Sequence, residues 1–154
     1  MMEHSPVTQP LHDAGYCCLQ PTPELHPNPH AWTRATTMLY VEHPIGTGFS
    51  YGHPYPQSEK EASGDLDAFL QNFFAIFSDL ASYDFYVVGE SYAGMFVPAV
   101  SRYIHRANQK AVEEERNTRI PIRLKGAALG NGWIDVSIIC WILLSTTFFA
   151  GLVS

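Results

Sequence analysis

Asp84-Phe85-Tyr86-Val87-Val88-Gly89-Glu90-Ser91-Tyr92-Ala93-Gly94-Met95-Phe96-Val97-Pro98 is the stretch around which the rest of the chain is organised. Phe85 to Val88 is a short apolar run of β-branched and aromatic residues, which predicts a buried strand, and it stops at Gly89. From Tyr92 to about Gln109, apolar residues recur at Val97, Val100, Ile104 and Ala107, spaced as on one face of a helix. Ser91 therefore stands alone on a turn between a strand and a helix.

A tight strand-to-helix turn of this kind is a nucleophile elbow: it pushes a serine hydroxyl out above the end of a sheet, with small residues on either side because the chain packs against itself. Gly89, Ala93 and Gly94 are the small residues here. The usual short pattern is G-x-S-x-G, and this chain has Ala93 in the fifth position with glycine one place later. The Tyr92 N–H falls at the helix N-terminus, where free donors and the helix dipole favour a developing oxyanion. An ordinary βα turn with a helix-capping serine shares this outline.

Gly89-Glu90-Ser91-Tyr92-Ala93-Gly94 matches, residue for residue, the nucleophile motif of the serine carboxypeptidase family. Asn28-Pro29-His30-Ala31-Trp32, followed by Met38 to Tyr51 with its Gly46-Thr47-Gly48-Phe49-Ser50-Tyr51 loop, resembles two earlier segments of that family in the right order. Leu124 to Asp135, with Gly130-Asn131-Gly132-Trp133-Ile134-Asp135, resembles the family's next strand and turn. The resemblance covers residues 28 to 135 well and 3 to 27 loosely. It implies an α/β-hydrolase fold.

The composition suits a globular domain: 46% hydrophobic, 16% charged, with a formal net charge of −6 over 154 residues. Mild acidity gives no basis for nucleic-acid binding. Most basic residues fall between Arg102 and Lys125, where Glu113-Glu114-Glu115 interrupts them, so that region reads as a solvated helix face and loop. Cys17 and Cys18 are adjacent and Cys140 is remote, with no C-x-x-C spacing, and the histidines are scattered singly. Neither a metal site nor a cofactor is expected.

Coarse elements follow from local pattern. Residues 1–35, rich in proline and histidine without sustained periodicity, read as an irregular surface segment. Thr36 to Glu42 reads as a strand ended by Pro44-Ile45-Gly46-Thr47-Gly48, a glycine pair that lacks the third glycine and lysine of a phosphate loop. Ser58-Glu59-Lys60-Glu61 is a capping box, and Leu66, Phe69, Leu70, Phe73, Phe74 and Phe77 then recur at helical spacing, a stripe expected to pack on one face of the sheet. Pro98 removes one bond early in the helix after the elbow and is expected to bend it. Leu124 to Leu129 reads as a third strand. The expected fold is α/β, a partial α/β-hydrolase core over residues 36–135 with a central, mostly parallel sheet and flanking helices. Phe85 to Val88 would be its middle strand.

Two end segments stand apart. Met1 to Pro10 lacks the apolar core of a signal peptide. Val136 to Ser154 carries no charge and is long enough for a membrane span, so it reads as an apolar tail: a product of truncation or read-through, a membrane anchor, or a buried element. Membrane contact is expected only through residues 136–154.

The resemblance assigns roles to a few residues. Ser91 is the nucleophile, the Tyr92 backbone N–H an oxyanion donor, and Glu90 one of a glutamate pair that binds a substrate's free C-terminal carboxylate. Glu3, in Glu3-His4-Ser5-Pro6, corresponds to the other glutamate. Two facing carboxyls share a proton because both cannot ionise cheaply at close range, so binding should favour acid pH. In this fold an aspartate and then a histidine follow the serine along the chain. Here only His105 and Asp135 follow Ser91, in the reverse order, and His105 lies some 20 Å away along the helix. The family's histidine, aspartate and glycine-rich second oxyanion donor find no counterpart, so the chain reads as an internal slice, inactive by itself. The implied activity is a serine-type carboxypeptidase acting on peptide C-termini, in the secretory pathway, a vacuole or lysosome, or outside the cell. The alternatives are an acyltransferase of the same family and a non-catalytic, membrane-tethered or partner-binding remnant.

Overall fold

The order strand, turn, helix, strand expected from Asp84 onward governs the larger part of the computed structural model, which describes residues 17–19, 25–114 and 119–135 and positions 137, 139 and 140. The chain forms two compact units, Met1–Pro56 and Gln57–Ser154.

In the first unit, β1 (Cys17–Leu19) pairs antiparallel with β2 (Leu25–Pro27), with Cys17 opposite Pro27 and Leu19 opposite Leu25. This short hairpin lies inside the stretch read as irregular. Asn28 follows, buried, its Oδ1 accepting the His30 N–H at 2.8 Å, and a 3-10 turn runs from Trp32 to Arg34. The strand expected over Thr36 to Glu42 is not formed. β-branched and aromatic residues favour a pleated surface, but a strand needs a ladder partner, and local composition cannot supply one. Glu42 instead organises the glycine loop: its carboxylate accepts the Phe49 N–H and its carbonyl accepts the Ser50 hydroxyl at 2.7 Å. Gly48 adopts φ 55°, a conformation that favours glycine, and lies against the Glu42 carboxylate, which would have to move to admit a methyl.

The second unit begins with α1 (Glu59–Ile76). Ser58 caps it, accepting the Glu61 N–H at 3.3 Å, while the Glu61 carboxylate reaches back to the Gln57 N–H at 2.8 Å, one residue beyond the usual capping-box partner. A 3-10 turn over Ser78–Ser82 leads to β3 (Phe85–Glu90), then α2 (Ala93–Glu113) and β4 (Leu124–Gly130). β3 and β4 are parallel, joined by α2, with Tyr86 opposite Gly126 and Glu90 opposite Gly130. Parallel neighbours require such a crossover. Pro98 lies within α2, which runs on through it as one helix.

The core of this unit is built from Leu70 and Phe74 of α1, Val100 and Ile104 of α2, and Ile122 ahead of β4. Two expectations are corrected here. The phenylalanine stripe splits: Phe74 is buried with its ring edge-on to Phe85 at 5.9 Å, whereas Phe69 and Phe77 are exposed. α1 packs chiefly on α2, so only the inner part of its apolar face is covered. β3, expected to be a buried middle strand, pairs with β4 alone among the described residues and alternates: Phe85 and Val87 pack toward the core, while Tyr86, Val88 and Glu90 face outward.

The irregular segment leading into β4 has backbone groups that no ladder satisfies, and side chains of both helices satisfy them. Gln71 accepts the Ile120 N–H at 2.8 Å and donates to its carbonyl at 3.0 Å, and Asn108 donates to the Ile122 carbonyl at 2.7 Å. Arg119 closes the arrangement with a two-pronged pair to Asp67, at 2.5 and 2.6 Å, and a third bond from Nε to Asn108 Oδ1 at 3.2 Å. Arg119 thus departs from the solvated basic face expected of its neighbourhood. Asp67 and Arg119 are largely buried, with side-chain exposures of 9% and 14%.

Asp67→Ala strands a buried guanidinium, and the expected loss is about 3–5 kcal/mol. Lys110→Ala, which removes the exposed pair to Glu114 at 3.5 Å, should cost no more than about 0.5 kcal/mol. Urea unfolding of both variants checks the contrast, and equal losses would show that the Asp67–Arg119 pair does not anchor the approach to β4.

Candidate active site

Ser91 is the first residue after β3, and its conformation follows from what its backbone must satisfy. Its N–H donates to the Gly130 carbonyl at 3.0 Å, extending the ladder one bond past the strand. Its carbonyl accepts two N–H groups, from Gly94 at 3.0 Å and from Trp133 at 2.7 Å. Meeting both strand and helix in so few residues puts Ser91 at φ 57°, the left-handed region that residues with a Cβ rarely enter. The side chain is exposed, and no side chain among the described residues hydrogen-bonds its hydroxyl.

The small residues of the motif have separate reasons. A methyl at Gly89 would collide with the Ala93 Cβ and come within 3.0 Å of Val97. Because Gly89 gives up its side chain, the helix side can keep one, which is why alanine serves in the position that the short pattern gives to glycine. Gly94 faces the next turn of the chain instead, and a methyl there would be driven into the Trp133 backbone. The elbow is therefore held between its own helix and the Gly130-Asn131-Gly132-Trp133 turn, in which Asn131 is also left-handed at φ 46°.

α2 begins without a side-chain cap. The Gly94 and Met95 N–H groups are taken by the Ser91 and Tyr92 carbonyls, but the Tyr92 N–H has no acceptor among the described residues. A free donor at a helix N-terminus, one residue from the serine hydroxyl, can receive negative charge that develops on an attacked carbonyl. The Tyr92 ring lies against Phe96 at 5.2 Å and Trp133 at 6.3 Å, forming an aromatic wall over the first turn of α2. Trp133 was not singled out from sequence. The cue available was an aromatic residue directly after a Gly-Asn-Gly turn that ends a strand parallel to the serine's own.

Glu90, last in β3, is exposed on the outward face, and its chain lies over β4, so that a methyl at Gly130 would sit 3.7 Å from Glu90 Cγ. Glu3 falls outside the described residues. His105 is on the exposed side of α2, three turns from the elbow, and Asp135 follows the Trp133 turn, so neither is brought to the Ser91 hydroxyl by a described hydrogen bond. Among the described residues no cluster of histidine, cysteine or carboxylate groups could hold a metal ion. None of their helices is long and apolar enough to cross a membrane, and the apolar tail of residues 136–154 lies outside them except at 137, 139 and 140.

Comparison with known proteins agrees with the motifs. The family model described as serine carboxypeptidase matches residues 8–154, and so runs through the apolar tail as well as the elbow. CPVL of Mus musculus, named a probable serine carboxypeptidase, is 43% identical over 107 residues, covering 68% of this chain and 21% of that protein. The venom serine carboxypeptidase of Apis mellifera is 41% identical over 109 residues, covering 69% and 22%. The chain thus spans about a fifth of the length of these curated relatives. In fold it is similar to the crystal structure of Kex1Δp, a prohormone-processing carboxypeptidase from Saccharomyces cerevisiae, with a TM-score of 0.78 and 23% identity, covering 97% of this chain and 32% of that one. A parallel strand pair with flanking helices, a left-handed serine between strand and helix, and a family match along nearly the whole sequence lead to one assignment: the chain belongs to the serine carboxypeptidase family, with an α/β-hydrolase fold.

Proposed function

We propose that this chain carries the nucleophile-bearing part of a serine-type carboxypeptidase site, which removes residues from peptide C-termini through an acyl-enzyme at Ser91. The observation that carries this reading is the elbow: an exposed hydroxyl on a left-handed residue, its peptide clamped from two sides, beside a free helix-terminal N–H. In the proposed step Ser91 Oγ attacks the last peptide carbonyl, the Tyr92 N–H receives the oxyanion, and the C-terminal amino acid leaves with its amine. Glu90 then has the task of binding the free carboxylate, with Glu3 as its partner. Tyr92, Phe96 and Trp133 offer an apolar wall to the substrate next to Ser91.

A base must take the serine proton, and a carboxylate must orient that base. His105 is the one histidine that follows Ser91, and its place three turns along α2 puts it about 18 Å from the elbow. That placement is the specific observation favouring a second reading, in which residues 1–154 by themselves bind a partner without catalysis. An acyltransferase of the same family would use the same elbow, and passage of the acyl group to an added alcohol separates it from a peptidase. The names of relatives that act in venom and on prohormones support a secretory, vacuolar or extracellular setting.

Residues 1–154 alone are expected not to turn over a blocked dipeptide at acid pH, since loss of triad function removes on the order of 10⁶ in turnover. A fluorophosphonate probe beside a Ser91→Ala control checks this. Labelling and product release that both vanish in the control would show that a second chain or His105 completes the site. In an active carboxypeptidase carrying this segment, Glu90→Gln tests the carboxylate role. Glutamine keeps the length of the side chain but removes the carboxyl, so affinity for free-acid peptides should fall while amide-capped peptides change little. Equal losses on both substrates would leave Glu90 with only the shape of the turn to account for.

A further inference from the structure

The turn that clamps Ser91 contains the chain's single asparagine followed by glycine, Asn131-Gly132. The other asparagines, Asn28, Asn72, Asn108 and Asn117, precede Pro29, Phe73, Gln109 and Thr118, whose side chains or ring shield the next peptide nitrogen. A glycine has no Cβ to do so. Three of those asparagines are also held: Asn28 Oδ1 accepts the His30 N–H, Asn72 donates to the Ala68 carbonyl at 2.8 Å, and Asn108 joins the Arg119 arrangement. Asn131 differs in each respect. It is exposed, it sits at φ 46°, and neither its side-chain amide nor the Gly132 N–H has a hydrogen-bond partner among the described residues.

We propose that Asn131 is a site of spontaneous deamidation whose product loosens the clamp on Ser91. The Gly132 backbone nitrogen attacks Asn131 Cγ, so the N–Cγ bond forms as the Cγ–Nδ2 bond breaks. The leaving nitrogen takes the peptide proton and departs as ammonia. Water then opens the resulting succinimide at either carbonyl, giving aspartate or isoaspartate, with nothing oxidised or reduced.

Isoaspartate routes the main chain through Cγ and so inserts an extra methylene between Asn131 Cα and the Gly132 nitrogen. The turn has no slack for it. A methyl at Gly132 would already come within 3.3 Å of Gly94 Cα, and the Trp133 backbone lies directly on Gly94. The added length moves Trp133 away from Gly94 and lifts its N–H from the Ser91 carbonyl, now at 2.7 Å. The inference does not depend on a catalytic role for Ser91, because it rests on the turn alone.

The test is to hold residues 1–154 in mildly alkaline buffer at physiological temperature, natively and in urea, and to map amide-to-acid conversion by peptide mass, with isoaspartyl methyltransferase as the probe for isoaspartate. In the native chain, conversion at Asn131 should run on the order of tenfold faster than at any other asparagine, the effect of leaving the following nitrogen unshielded. Hydrogen exchange at the Trp133 N–H should then be faster in the converted fraction than in unconverted chain from the same sample. Conversion confined to urea, conversion at Asn131 no faster than at Asn28, Asn72, Asn108 or Asn117, or unchanged Trp133 exchange in the converted fraction would each overturn the proposal.

Discussion

The Ser91 carbonyl, accepting one N–H from its own helix and one from the turn after β4, is the constraint on which the elbow depends. A left-handed conformation at a residue with a Cβ costs roughly 1–3 kcal/mol. Each backbone hydrogen bond returns about 0.5–1.5 kcal/mol net, and Ser91 makes three of them, through its N–H and twice through its carbonyl. The two magnitudes are comparable, so the strain is held by these bonds with little to spare. Loss of the Trp133 bond alone removes a third of the support.

Everything that fixes the end of β4 therefore acts on the serine at second hand. The Gly130 carbonyl is where it is because β4 runs parallel to β3 in register, and β4 is entered correctly because Gln71, Asn108 and Arg119 hold residues 119–122 against both helices. Ile122 is buried in the same cluster as Val100 and Ile104 of α2, the helix that starts at the elbow. One apolar cluster and one buried ion pair thus set the distance between the two ends of the site.

Local chemistry made part of this legible. A β-branched run, a serine and a helical spacing beyond it made the elbow legible, and the Ser58 cap and the starts of β3 and β4 followed from short-range rules, although β3 runs through Gly89 to Glu90, past the end expected at Val88. What stayed hidden depends on partners distant in sequence. Asp67 and Arg119 are 52 residues apart and neither looks unusual where it stands. Phe69 and Phe77 share the spacing of Phe74, and only the position of α2 decides which ring is covered. Thr36 to Glu42 has strand composition without a ladder. The β1–β2 hairpin has neither alternation nor a turn dipeptide to announce it. The importance of Trp133 comes from its backbone, which composition does not report.

Gly89 lies against the Ala93 Cβ, Gly132 against Gly94 Cα and Gly94 against the Trp133 backbone, so a methyl at any of these glycines needs space that a neighbour in the same corner already fills. Their substitutions cannot be independent in effect, since residues in contact through a shared space depart from additivity. An enlargement at Gly94 would be answered only by a retreat of the Gly132–Trp133 backbone, which itself hydrogen-bonds Ser91. Stepwise change at this corner is therefore blocked in both orders. A lineage altering the acyl side of the site has freer routes through the rings of Tyr92, Phe96 and Trp133 than through the four small residues beneath them.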